Sequence, residues 1–377
     1  MSLTEEIKEF ALDIGYCKAG VTTADDFTDY IEDVKSRGVD YDFYQAHLRK
    51  PLESARPRLG LPDARSIVVM ALDYGRIAFP PSLLGKIGRI YQARCYNTPP
   101  HRLNGARLQL MRDFLRQNGC ELTADSFFLP ARPVAVRAGI AGVSANNFAF
   151  VEGAGSFVVI SWVIVDKELD YDEPAAFAPC PEGCDACRKA CPTQALYAPY
   201  RLNPRRCLAF LAWMTQEGRP MTDPVIAPEL RELMGAHIHG CDLCQEACPR
   251  NHARLRAAWP EDPFLTELAG DFSLVKLLQA EDEFMRRRVT PIMYNYIQEK
   301  KYFQRNAAIA LGNEGDPESV PALRGALRDP EGMVRGYAAW ALGKIGGAGA
   351  RQALEDALRG ERDPFARQEM EASLRQS

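Results

Sequence analysis

Eight of the chain's eleven cysteines fall between residues 180 and 248, and their spacing constrains the fold more than any other feature. They form two runs. The first is Cys180-x3-Cys184-x2-Cys187-x3-Cys191-Pro192, and the second is Cys207 followed by Cys241-x2-Cys244-x3-Cys248-Pro249. A cuboidal iron–sulfur cluster needs four thiolates, and a C-x2-C-x3-C-P run supplies them from a tight turn whose backbone N–H groups also point at sulfur. Where two such runs serve two clusters, the cysteine before the proline crosses to the other cluster. On that logic one 4Fe-4S cluster takes Cys180, Cys184, Cys187 and Cys248, and the other takes Cys207, Cys241, Cys244 and Cys191.

Structural zinc is the competing reading, because four-cysteine zinc sites also use C-x2-C spacing. The two C-P endings, each just after a C-x2-C, favour iron–sulfur. The x3 gap between Cys180 and Cys184 departs from the commonest spacing and makes Cys180 the least constrained ligand. His237 and His239 precede Cys241, but eight cysteines leave no vacancy for a histidine ligand, so both read as cluster-shell or surface residues. A disulfide framework does not fit this spacing, which is that of metal ligation in a reducing compartment.

The remaining sequence describes a soluble globular protein. At 377 residues, 46% hydrophobic and 25% charged, the chain is long enough for two or three domains and is not disordered. A net charge of -4 demands no nucleic-acid partner, although it leaves room for a local basic face. The start, MSLTEEIKEFALDIG, lacks a basic leader region and reads as a helix. Ser2 and Glu5 have capping-box spacing, Ile7, Phe10 and Ile14 share a face, and Gly15 stops the turn. The most apolar stretch, residues 154–165, is shorter than the ~20 residues of a membrane span. The expectation is a cytoplasmic protein without a membrane partner.

Residues 1–177 read as an α/β domain. Ser66–Leu72 (SIVVMAL) and Ser156–Val165 (SFVVISWVIV) are short β-branched runs suited to buried strands. Between them Leu108, Met111, Phe114 and Leu115 make a helix face that Gly119 ends. Residues 178–252 form the cysteine-rich ferredoxin-like module, and residues 253–302 a helical connector that opens with a Pro-rich stretch, WPEDPF. Residues 303–377 carry a repeat. AIALG at Ala308–Gly312 recurs as AWALG at Ala339–Gly343, and ALRGAL at Ala322–Leu327 recurs as ALEDAL at Ala353–Leu358, both offset by 31 residues. Two helices per copy, with Asp329-Pro330 and Asp363-Pro364 after the second, describe HEAT-type hairpins, and a partial third copy runs from Phe365 to Leu374. Such an array either caps the core or docks a macromolecule.

The runs CRKACPTQALYAPYRLNPRRCLAFL, HGCDLCQEACPRN and RNAAIALGNEGDPESVPALRGALRDPEGMVRGYAAWALGKIG, with PRLGLPDARSIVVMALDYG at Pro57–Gly75, make the chain resemble the epoxyqueuosine reductase family. The resemblance implies an N-terminal cobalamin-binding α/β domain, a two-cluster module and C-terminal HEAT repeats, in the order found here. It implies reductive removal of an epoxide oxygen from a tRNA wobble base. An aspartate twelve residues before the Arg137-Ala138-Gly139 run, Asp125, then acts as proton donor. A carboxyl does this near neutral pH only where an apolar wall raises its pKa, and SFFLP at residues 126–130 could supply one. Arg58, Gly139, Asn146 and Asp242 keep the family pattern and are the implied corrinoid contacts. A low-potential donor, a flavodoxin or ferredoxin, and a monomeric state complete the expectation.

The departures from the family gather where substrate and corrinoid should sit. RIYQARCYN at Arg89–Asn97 has Cys95 and Asn97 in place of an aspartate and a histidine. IAGVSAN at Ile140–Asn146 lacks a tryptophan at Gly142 and a lysine at Ala145. Cys95 reads either as a small buried residue or as a pocket thiol; Cys17 and Cys120, each close to a glycine, read as core or boundary residues. The basic stretch before the first HEAT copy is diluted to MYNYIQEKKYFQR, which weakens the electrostatic part of tRNA binding. Two alternatives stand beside the tRNA reductase: a corrinoid reductase of a small molecule, in the manner of reductive dehalogenases, and a non-catalytic electron carrier.

Overall fold

Ser2 starts the first helix, α1 (Leu3–Asp13), as its spacing to Glu5 predicts. Ser2 Oγ accepts the Glu5 N–H at 3.3 Å, and the Glu5 carboxylate accepts the Ser2 N–H at 2.7 Å. These reciprocal bonds satisfy donors that a helix start leaves open. Ile7 and Ala11 are buried, Phe10 stacks on Phe114 at 4.4 Å, and Gly15 leaves the helix with φ +95°. Phe114 belongs to α2 (Leu103–Gln117), which buries Met111 and Leu115 and ends before Gly119 at φ +72°. This computed structural model describes the chain except residues 46–49, 96–102, 125–126, 176–179, 213–214, 217–218, 221–224, 293–298 and 377.

Both predicted strands are present, β2 (Ser66–Asp73) and β5 (Val158–Val165), and a third, β1 (Lys18–Thr23), joins them in the order β1-β2-β5. The sheet is antiparallel throughout, with Val21 opposite Val68 and Val69 opposite Trp162. That corrects the α/β expectation. The domain mixes helices and strands, but its chain reverses between neighbouring strands instead of crossing over to a parallel one, which is the α+β arrangement. Strand periodicity sets which residues are buried and leaves strand direction open. A Cβ on Gly20 of β1 would lie 2.2 Å from the Ala138 carbonyl oxygen, so a glycine in mid-strand is what lets the C-terminal end of α3 (Ala131–Arg137) approach. After α3 a short hairpin pairs β3 (Gly142–Val143) with β4 (Ala149–Phe150). Its tip closes through Ser144 N–H to Phe148 O at 2.9 Å and Asn147 N–H to Ser144 O at 2.8 Å, with Asn147 at φ +67°.

The chain divides into two compact units. The first holds Met1–Ile77, Pro99–Arg205 and Leu243–Pro260, and the second holds Ala78–Thr98, Arg206–Asp242 and Glu261–Ser377. The second unit contains the repeat, as α4 (Lys300–Glu314), α5 (Val320–Ala326), α6 (Gly332–Ile345), α7 (Ala348–Leu358) and α8 (Pro364–Gln376). The predicted pairs are α4 with α5 and α6 with α7, and the partial copy is α8. The glycines ending the two AxALG motifs have equivalent jobs. A Cβ on Gly312 would stand 2.9 Å from the Ala341 Cα, and one on Gly343 would stand 2.5 Å from the Ser373 Cβ. Each glycine is where one helix touches the equivalent helix of the next copy. At the turns, Arg335 donates to the Asp329 and Pro330 carbonyls at 2.8 and 3.0 Å and to Glu361 at 2.6 and 2.7 Å. The guanidinium holds the Glu361 carboxyl down at about 2.

Arg305 dilutes the basic stretch further. It is fully buried in α4, donating to the Leu211 and Ala212 carbonyls at 2.9 and 3.3 Å, and is not a surface cation. Asn306 donates to the Ala212 and Ile238 carbonyls at 2.8 and 2.7 Å, and Asn313 donates to Arg231 O and Gly235 O at 2.9 and 3.0 Å. Lys301 pairs with Glu299 at 2.5 Å. Residues 293–298 of that stretch lie outside the described residues. Among the described residues no helix is long and apolar enough to cross a membrane.

Candidate iron–sulfur site

In the first unit two single-turn helices, Ala186–Lys189 and Leu243–Glu246, pack on each other and carry the two C-x2-C-x3-C-P motifs past one hollow. Gly183, at φ +71°, makes the turn in which Cys184 N–H donates to Pro181 O at 3.2 Å. Cys180, Cys184, Cys187 and Cys248 line the hollow, so the cysteine before the second proline stands with three from the first run. Cys191, before the first proline, lies away from it, with its Sγ 3.6 Å from Thr193 Oγ1. Burial pushes the Cys187 and Cys248 thiols up, and the neighbouring Cys180 and Cys184 add to the effect. Four thiolates crowded this way repel one another unless a cationic centre lies among them. Among the described residues no three His, Cys, Asp or Glu side chains stand close enough to share a single ion; the thiols ring a space.

The hairpin tip closes one side of the hollow through Ser144, Ala145 and Asn146, all buried. Ala145 N–H donates to Cys180 Sγ at 3.2 Å, the type of N–H···S contact the motif anticipates, though from a segment 35 residues upstream. Cys180, the least constrained ligand in sequence, is thus held from outside its own run. A buried polar set fixes the second motif. Asn251 donates to Ser156 Oγ and Gln245 O, both at 2.8 Å, and accepts from Ser156 N–H at 3.2 Å. A Cβ on Gly155 would meet Asn251 Oδ1 at 2.5 Å. None of these residues was singled out in the sequence, where an asparagine two places after Cys-Pro carries no chemical signal of its own.

The other four cysteines are divided, Cys191 and Cys244 in the first unit and Cys207 and Cys241 in the second. The Cys207 carbonyl accepts the Leu211 N–H at 2.8 Å, and Cys241 follows Gly240 at φ +75°, where a Cβ would meet the Tyr91 ring at 2.7 Å. His237 and His239 are buried, which corrects the surface reading. His239 is fully enclosed between the Tyr91 and Phe303 rings, and burial alone lowers its pKa to about 3, so it is a neutral core residue.

The residues implied as corrinoid contacts have partners inside the fold. Arg58 is half exposed and lies 3.5 Å from Asp25. Gly139, at φ +70°, ends α3, and a Cβ there would stand 2.5 Å from the Glu173 carbonyl oxygen. Asn146 donates to Cys244 O at 3.0 Å and accepts the Phe148 N–H at 3.2 Å. Asp242 accepts the Arg89 N–H at 2.8 Å and the Arg89 guanidinium at 3.2 Å. Asp125 lies outside the described residues, as does Asn97. Cys95 and Cys120 are buried and Cys17 is half-buried with its Sγ on Ala71 O at 3.2 Å, as core cysteines would be.

Comparison with known proteins bears on both regions. Residues 180–251 match a family of 4Fe-4S double cluster binding domains, and residues 290–375 match a family of HEAT repeats. The epoxyqueuosine reductase of Bacillus subtilis (strain 168) is 32% identical over 386 residues, covering 99% of this chain and 95% of that protein. A structure of the Bacillus subtilis enzyme, with its aspartate-bearing catalytic loop swung out of the active site, superposes with a TM-score of 0.83 at 31% identity, covering 99% of this chain and 98% of that one. A crystal structure of an epoxyqueuosine reductase with an epoxyqueuosine-modified tRNA-Tyr stem loop has the same TM-score, identity and coverage.

Proposed function

The chain belongs to the epoxyqueuosine reductase family, and from that premise we propose that it removes the epoxide oxygen of a modified tRNA base with electrons passed through two 4Fe-4S clusters. The observation that carries the reading is the hollow in which Cys180, Cys184, Cys187 and Cys248 come together. Its donor set is four thiols with a backbone N–H already on one sulfur, which fits an iron–sulfur cluster. Cys191, Cys207, Cys241 and Cys244 are the proposed ligands of the second. The overall change takes up two electrons and two protons and releases the oxygen as water, so a low-potential donor of the flavodoxin or ferredoxin class is required. The proposed organisation is 1–177 reductase, 178–252 cluster module, 253–302 connector and 303–377 HEAT array, acting as a cytoplasmic monomer.

Asp125 is the proposed proton donor to the leaving oxygen, supported by its twelve-residue distance from Arg137 and by the aspartate-bearing catalytic loop of the Bacillus subtilis structure. Cobalamin is the proposed second cofactor and rests on the family alone. Arg58, Gly139, Asn146 and Asp242 are the proposed contacts for it; Asn146 and Asp242 are oriented by their bonds to Cys244, Phe148 and Arg89, and Arg58 is half exposed beside Asp25. The chain's own part is to hold the clusters, orient the base and deliver the proton. The test is anaerobic turnover of reconstituted protein on tRNA carrying the epoxide base, with a strong reductant. Conversion to the alkene base is expected; iron-loaded protein that leaves the tRNA unchanged while reducing small epoxides or organohalides would replace this reading with the small-molecule one.

A further inference from the structure

The β3–β4 hairpin reaches the cysteine motifs at three points with its tip. Ala145 N–H donates to Cys180 Sγ at 3.2 Å, Ala145 O accepts the Tyr200 N–H at 2.8 Å, and Asn146 Nδ2 donates to Cys244 O at 3.0 Å. Asn146 is itself locked, its Oδ1 accepting the Phe148 N–H at 3.2 Å across the turn. Ala145 packs with Cys187 and Leu196 in one apolar cluster, with Cys180 and Cys244 against it. One element of the reductase domain therefore touches a cysteine of each proposed cluster set from two buried residues, where a single N–H bond to sulfur is stronger than in water.

We propose that this tip is the positioning element of the cluster pair: the Ala145 N–H sets the potential of the cluster on Cys180, Cys184, Cys187 and Cys248, and the Asn146 amide fixes the Cys244 arm of the other. This rests on the iron–sulfur reading of the cysteines. A donor on a ligand sulfur stabilises the more negative, reduced cluster over the oxidised one, so it raises the potential. The tip carries no charge where the family resemblance places a lysine, at Ala145. The backbone N–H is then the donor this segment offers the sulfur.

The experiment compares reconstituted full-length variants by iron and sulfide content, redox titration and low-temperature EPR. An amide-to-ester exchange at position 145 (lactic acid for Ala145) deletes only the N–H. At the wild-type midpoint potential of the first cluster, the ratio of reduced to oxidised cluster should fall about tenfold, equivalent to about 59 mV for one electron. Asn146→Ala loses the donor to Cys244 without adding charge to the wall of the hollow, so it should alter the signal of the second cluster and move the first cluster's potential by less than the ester exchange does. Full iron content with unchanged potentials and spectra in both variants overturns the inference. Wild-type protein that takes up zinc instead of iron overturns the cluster reading beneath it, and the metal analysis tells these two failures apart.

Discussion

The thiol hollow and the helical tail are built on opposite plans. Around the hollow, the chain runs in single turns and loops, and its fixed points are sulfur atoms, one buried N–H and a small amide network. In the tail, five helices pack through alanines and through glycines at the crossings, with Asp363 capping α8 by accepting the Ala366 N–H at 2.9 Å. The tail meets its own packing requirements; the hollow gathers four thiolate-forming groups that only a bound cationic group reconciles. Order in the first region should depend on the cofactor, and order in the second on side-chain volume.

The largest expected effect tests the first half of that contrast. Cys184→Ala should lower iron from about eight to about four per chain and abolish turnover, because a cluster deprived of a ligand in this hollow has no spare thiol; iron and sulfide analysis after anaerobic reconstitution measures it. Next comes Asp125→Asn, which should keep both clusters and lower turnover ~100- to 10,000-fold, the range for loss of a general acid. Single-turnover kinetics on the epoxide tRNA measures this, and full activity would remove the proton-donor role.

Gly343→Val should sharpen the contrast from the tail side. A Cβ there stands 2.5 Å from the Ser373 Cβ, so the variant should lose ~1–3 kcal/mol of tail stability through overpacking. Thermal unfolding should show the drop while Cys180-cluster spectra stay as in the wild type. The smallest effect is electrostatic. Glu361 has its pKa depressed to about 2 by Arg335, so the pair's stabilisation is full above the ordinary carboxylate pKa of 4.5 and is lost as pH falls through about 2. Glu361→Gln should therefore flatten the acid limb of a stability–pH curve, and an unchanged acid limb would show that the pair contributes nothing.

These two plans also explain what the sequence disclosed. Cysteines at fixed spacing and small residues at a 31-residue period announce themselves, and so did Ser2 with Glu5 and the β-branched runs of β2 and β5. β1 did not, because Lys18–Thr23 is short, polar at both ends and interrupted by a glycine whose reason, the Ala138 carbonyl, is more than a hundred residues away. Strand direction was likewise outside what periodicity records. Near the hollow, Ala145 acts through its backbone, which no residue type reveals, and Asn146 and Asp242, which match a family pattern, also bond internally to Cys244 and Arg89. Arg305 read as part of a basic stretch because composition does not distinguish a guanidinium that meets phosphate from one that grips carbonyls.

That grip has a consequence for how the protein matures. The carbonyls of Leu211, Ala212 and Ile238, which flank Cys207 and Cys241, receive their donors from Arg305 and Asn306, residues made 68 to 94 positions later. During synthesis the ribosome releases both cysteines well before α4 exists to hold their arms. A chain cut short before Lys300 would leave the Leu211, Ala212 and Ile238 carbonyls without these donors and the backbone beside both cysteines unanchored.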